Sequence, residues 1–111
     1  TGEEIRCENS FGSAIRYINS DNFRRAVIEN NFGSLSVYFD NAIVQEGSAN
    51  VSVENNFGET NLYIPKEWKI QNNLDRSFGA IRETGSSIGT SSTVLYLNGS
   101  ANFGEIHLHY I

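Results

Sequence analysis

Ile28 to Phe39 reads IENNFGSLSVYF, and Val53 to Ile64 reads VENNFGETNLYI. Near-copies of one phrase within a 111-residue chain point to a repeat architecture, in which each copy is one structural unit. The pair Phe-Gly recurs at Phe11-Gly12, Phe32-Gly33, Phe57-Gly58, Phe78-Gly79 and Phe103-Gly104, at spacings of 21, 25, 21 and 25 residues. Four residues before each Phe stand Cys7, Ile28, Val53, Leu74 and Gly99; six before stand Ile5, Ala26, Val51, Asn72 and Leu97. After the Phe, offsets three, five and seven give Leu35, Val37 and Phe39 in one copy and Ile106, Leu108 and Tyr110 in the last. Apolar residues at every second position mean strands rather than helices.

Each repeat therefore reads as strand, corner, strand. Two residues before the Phe stand Asn9, Asn30 and Asn55, and one before it Ser10, Asn31, Asn56, Ser77 and Asn102. Asn tolerates left-handed backbone and bonds its neighbours in turns, and Gly accepts positive φ. A third apolar mark follows at Phe23, Ile43 and Trp68, with Ile88 one place short, so each repeat has three sides, like one turn of a coil. About twenty residues bury too little apolar surface to offset their own ordering entropy, so such coils must cover one another. The expected fold is an all-β, single-stranded parallel β-solenoid of about five short coils, with the five Phe in an internal column. The rival is an antiparallel β-roll or sandwich built of Phe-Gly hairpins. The structural residues of the repeat are Phe11, Gly12, Phe32, Gly33, Phe57, Gly58, Phe78, Gly79, Phe103, Gly104 and Trp68.

Eight basic against thirteen acidic residues give a net charge of −5 and a pI near 4.9, and Arg24-Arg25 is the only basic cluster, which disfavours a nucleic-acid partner. The single Cys7 falls in an apolar column and reads as a buried thiol. No apolar run reaches the ~18 residues of a membrane helix. The absence of Met implies that something upstream has been removed, whether a signal, a membrane region or a stretch outside this sequence, and residues 1–111 are expected to be one domain. The sequons at Asn50 and Asn98 matter only in a eukaryotic secretory pathway.

The chemical motifs are weak. GSSIG, Gly85 to Gly89, matches a hydrolase nucleophile elbow, but Ser87 lies in a Ser/Thr/Gly loop with no downstream Asp. His107 and His109 alternate with Ile106, Leu108 and Tyr110 without a third metal ligand nearby, and read as exposed residues of an end strand. The acidic column Glu8, Glu29, Glu54 and Asp75 reads as a solvated face. The chain is thus expected to be no enzyme and to carry no catalytic residue, metal or cofactor. Candidate contact points are two longer loops, Gln45 to Asn50 (with Gln45 and Glu46) and Thr84 to Thr93, expected at one corner two coils apart, and the end strand from His107 to Ile111, with His107 and His109. That strand is expected to be an unpaired edge, open to dimerisation or to a partner's strand.

The run from Ala42 to Glu83 carries Phe-Gly corners and the strand ending Leu62-Tyr63-Ile64-Pro65-Lys66-Glu67-Trp68, and the chain closes on NFGEIHLHYI. In these features it resembles the C-terminal domain of bacterial LiaF-like proteins, the cell-wall-active antibiotics response family. It departs from that family where Ser34, Glu59, Ala80 and Glu105 replace a second Gly after Phe-Gly. The resemblance implies a noncatalytic regulatory domain in cell-envelope stress signalling. It would bind a membrane histidine kinase or another envelope protein, on the cytoplasmic side of a membrane to which an upstream segment attaches it. A surface adhesin or glycan-binding solenoid, extracellular, is the alternative.

Overall fold

The computed structural model describes residues 3–45, 47–76 and 79–111. Its ten strands are β1 (Glu3–Asn9), β2 (Ser13–Tyr17), β3 (Phe23–Asn30), β4 (Gly33–Tyr38), β5 (Ser48–Asn55), β6 (Gly58–Ile64), β7 (Lys69–Arg76), β8 (Ala80–Thr84), β9 (Val94–Ala101) and β10 (Glu105–Tyr110). No helix occurs among the described residues. Odd strands form one five-stranded sheet and even strands another, and all pairings between named strands are parallel. This is a parallel β-solenoid, and the antiparallel rival is excluded. The register aligns the repeats: Val53 pairs with Ile28 on one side and Gly99 on the other, and Ile28 pairs with Cys7.

The inward columns form a continuous core. Ala26, Val51 and Leu97 fill one column, Leu35 and Ile106 flank a buried Thr60 in another, and Val37, Leu62 and Leu108 fill a third, all essentially inaccessible. Cys7 is buried as expected, and burial pushes its thiol pKa up. On the third side Phe23 and Trp68 are buried, but Ile43 and Ile88 are more than half exposed, and Ala42 is buried in place of its neighbour Ile43.

The coils do not stack in chain order. The sheets run β1-β3-β5-β9-β7 and β2-β4-β6-β10-β8, so the fifth strand pair is inserted between the third and the fourth. The physical reason lies in the inward positions. The β9–β10 coil offers Leu95, Leu97, Ala101, Ile106 and Leu108, all fully buried, whereas β7–β8 places exposed Asn72 and Glu83 in the same columns. An apolar coil gains by being covered on both faces, and a polar one suits the end of a stack. The chain skips one inter-coil step of about 4.8 Å through the turn at Pro65 and later returns through residues 85–93. Lys66 N–H bonds the Ile111 carbonyl at 2.8 Å, and the Lys66 and Glu67 carbonyls accept from Ile88 and Ser91, each at 2.8 Å. The Pro-Lys-Glu-Trp turn is thus the pivot of the crossover.

This order corrects the reading of the last strand. β10 is hydrogen-bonded to β6 on one side and β8 on the other, so His107 and His109 lie in an interior strand, half-buried. It has no free edge through which the chain could dimerise or accept a strand. Among the described residues the free edges belong to β1 and β2 at one end and to β7 and β8 at the other.

Candidate functional site

The repeated corner Asn-x-Phe-Gly is the most regular feature of the surface. At its inner side Asn9, Asn30 and Asn55 are buried. Asn9 Nδ2 donates to Asn30 Oδ1 at 2.9 Å, and Asn30 Nδ2 donates to Asn55 Oδ1 at 3.0 Å. Each amide also serves its own corner, donating to Gly12, Gly33 or Gly58 carbonyl oxygen at 2.9–3.0 Å. Among the described residues no non-glycine has positive φ, so these Asn residues act through their side chains and not through left-handed backbone. The Gly12 carbonyl also accepts from the Ser34 N–H at 2.9 Å, so the buried amide adds a second hydrogen bond to the carbonyl that closes the bend. A second, half-buried ladder joins Asn102 to Asn56 and Asn56 to Asn31, each at 2.8 Å.

The expected internal Phe column is outside. Phe11, Phe32, Phe57 and Phe103 are 81, 54, 51 and 47 % exposed. Phe78 lies outside the described residues. The rings line the corner: Phe11 stacks on Phe32 with centroids 5.4 Å apart and Phe57 on Phe103 at 5.1 Å, while Phe32 and Phe57 meet tilted by 43° at 6.4 Å. The cause is a change of parity. Before the corner the buried positions are Cys7 and Asn9, Ile28 and Asn30, Val53 and Asn55; after it they are Leu35 and Val37, Thr60 and Leu62. The alternation slips by one residue across the bend, and the Phe falls in the slip. The following glycine makes the bend: Gly58 has φ +104°, and a Cβ there would lie 1.9 Å from the Gly33 carbonyl oxygen. That carbonyl stacks directly beneath it, so no side chain fits.

A second aromatic row, not read from the sequence, crosses the outer face of the even-strand sheet. Tyr17 stacks on Tyr38 at 4.8 Å, Tyr38 on Tyr63 at 4.2 Å, and Tyr63 on His109 at 4.5 Å. Its signal was present, since these residues all stand six after a Phe. His109 also faces Asn61 Oδ1 at 3.0 Å and stacks on His107 at 3.9 Å. Burial, then the neighbouring His107, lower the His109 pKa. His107 contacts Thr84 Oγ1 and lies 3.6 Å from the Glu105 carboxylate.

The other candidates are less organised. Gln45 Nε2 bonds the Asp21 carbonyl, and Glu46 lies outside the described residues. The two longer loops are neighbours rather than two coils apart: Val94 N–H bonds the Gly47 carbonyl at 3.0 Å, a consequence of the inserted fifth coil. Ser87 Oγ donates to the Trp68 carbonyl at 2.6 Å, tying the crossover loop to the pivot turn. Glu8, Glu29 and Glu54 line up on the outer face of the odd-strand sheet, and Glu29 and Glu54 flank a groove of about 260 Å³ floored by Val27 and Ser52. Among the described residues no three His, Cys, Asp or Glu side chains are grouped to hold a metal, and no helix is long and apolar enough to cross a membrane.

No family model matches the chain, and neither does any curated protein. Among solved structures the chain is similar to a protein from Clostridium sporogenes described as a putative cell adhesion protein, with a TM-score of 0.67 and 19 % identity. The match covers 97 % of this chain and 55 % of that one, so the chain spans about half the length of its structural neighbour. At that identity the likeness establishes a shared solenoid architecture.

Proposed function

We propose that this domain is a noncatalytic protein-interaction module of bacterial cell-envelope stress signalling. It docks a membrane histidine kinase or another envelope protein on the cytoplasmic side of the membrane. The observation that carries this reading is the row of neighbouring, exposed Phe rings along the corner. Nothing in the folding of one coil requires a large apolar side chain there, because the corner is built by the Asn amide and the glycine. Contiguous exposed aromatics on a rigid scaffold are the usual substance of a protein contact. The resemblance of the Phe-Gly and Pro-x-x-Trp pattern to LiaF-like domains supplies the partner class.

The test is an in-cell cross-linking pull-down from envelope-stressed bacteria, comparing the wild type with Phe32→Ser/Phe57→Ser. Recovery of a histidine kinase by the wild type and its loss in the variant supports the reading. Equal recovery by both, or recovery of neither a histidine kinase nor another envelope protein, defeats it. The second reading, an adhesin or glycan-binding solenoid, draws on the description of the clostridial neighbour. It predicts binding of the purified domain to cell-surface polysaccharide arrays, with the Tyr17–Tyr38–Tyr63 row as the contact.

A further inference from the structure

The two ends of the solenoid are chemically different, and each is an unfinished coil interface. At the first end β1 and β2 have one hydrogen-bonded neighbour each; at the second the same holds for β7 and β8. Among the described residues the first end leaves its coil face uncovered in several ways. Gly12 adopts φ +92° like the other corner glycines, yet a Cβ on it would meet nothing within 4 Å, whereas Gly33, Gly58 and Gly104 each sit on the corner carbonyl of the coil below. The Asn ladder has a direction, Asn9 donating to Asn30 Oδ1 and Asn30 to Asn55 Oδ1, so Asn9, 6 % exposed, is the rung to which no Asn amide of a further coil donates among the described residues. Among the described residues Phe11, Ile15 and Tyr17 are the most exposed large apolar side chains, at 81, 57 and 58 %.

The inward columns show what fits this end. One column runs Arg16, Val37, Leu62, Leu108, Glu83, so that an apolar row is closed by a cation at one end and an anion at the other. Arg16 and Glu83 are both exposed. Inward-phase charges on edge strands ordinarily block strand pairing. Opposite signs at opposite ends block selectively: two first ends repel through Arg16, two second ends repel through Glu83, and a first end attracts a second. The insertion of β9–β10 between coils that precede it in the chain shows that one coil recognises another without being covalently next to it.

We infer that the chain binds a second copy of itself head to tail, the β7–β8 end of one copy stacking in parallel register on the β1–β2 end of the next, with Glu83 facing Arg16. In that register Leu74 meets Cys7 and Ile81 meets Ala14, all in inward columns. Asp75 and Glu8 also meet, on the solvated outer face, where like charges are screened. The contact is heterologous and so generates an open series of oligomers rather than a closed dimer.

Sedimentation velocity over a concentration series, with the wild type, Arg16→Glu, Glu83→Arg and the double variant, tests the inference. Both residues are exposed, and circular dichroism confirms that each variant is folded. The wild type is expected to form concentration-dependent oligomers beyond the dimer. Each single variant should associate at least tenfold more weakly. The double variant, and an equimolar mixture of the two single variants, should regain association, because each restores an opposite-charge pair. A wild type that stays monomeric across the series overturns the inference, as does a dimer that grows no further. Association untouched by either single variant, or not restored in the double, overturns it equally. These outcomes are independent of whether a kinase binds the Phe corner, since Phe32→Ser/Phe57→Ser leaves both ends intact.

Discussion

Asn55 and Phe57 stand two residues apart on one corner, and their environments are the reverse of their polarity. The amide is fully buried and the ring is half exposed. Asn55 Oδ1 accepts from Asn30 Nδ2 and Thr60 Oγ1, both at 3.0 Å, and its Nδ2 donates to the Gly58 carbonyl at 3.0 Å and the Phe103 carbonyl at 3.1 Å. Phe57 meets the neighbouring rings of Phe32 and Phe103 along the corner. At a sharp bend backbone carbonyls turn inward, and a polar side chain that bonds two of them and two neighbouring polar side chains is worth more inside than an apolar one. The lesson is that the corner is held by hydrogen bonding and the Phe row is free for other work.

The sharpest way to break this comparison is at the glycine that separates the two columns. Gly58→Ala places a Cβ against the Gly33 carbonyl in left-handed backbone, and the expected loss is about 4 kcal/mol or outright failure to fold. Gly12→Ala shares the backbone conformation but not the clash, and should cost about 1–2 kcal/mol in urea melts. Equal losses at the two sites would show that strain, not coil stacking, sets the requirement.

Next in size is Asn55→Ala, which leaves two carbonyls and the Thr60 hydroxyl without their partner in the core, for an expected loss of about 3 kcal/mol. Phe57→Ala removes two ring contacts at an exposed site and should cost only about 1 kcal/mol. A urea midpoint lowered more by Phe57→Ala than by Asn55→Ala would reverse the comparison. An internal Phe column would have demanded about 3–5 kcal/mol for that change.

The smallest effect concerns the second exposed row. His109 has its folded-state pKa lowered by burial and by His107, against the opposing pull of Glu59 and Glu105. Its unfolded value is about 6.5. The unfolded chain therefore takes up the proton first as pH falls, so this contribution is present above pH 6.5 and is lost on descending from there toward the lowered folded value. Wild type should lose slightly more stability between pH 7.5 and 5.5 than His109→Gln, read as the shift in urea midpoint. An identical shift in both would remove His109 from the pH response.

The Phe-Gly spacing, the Val/Ile columns and the period of two determined that the chain is a row of strand-corner-strand repeats and favoured parallel coils, since in-register stacking gives every repeat the same neighbours; the antiparallel rival fell only to the observed pairing. Even the slip in alternation was legible, since Ile28 and Leu35 lie at opposite parity on either side of Phe32. What the pattern could not say was which way the residue inside the slip points. That depended on the glycine backbone and on carbonyls that need an amide, both properties of stacked coils rather than of one. The order of coils was likewise decided in three dimensions. Asn72 and Glu83 made β7–β8 unsuitable for double coverage, so the apolar β9–β10 coil took the interior place and carried His107 and His109 away from the edge. Sequence periodicity specifies which residues share a column. Burial energy summed over whole coils chooses which coil lies next to which, and that sum exists only once the stack has formed.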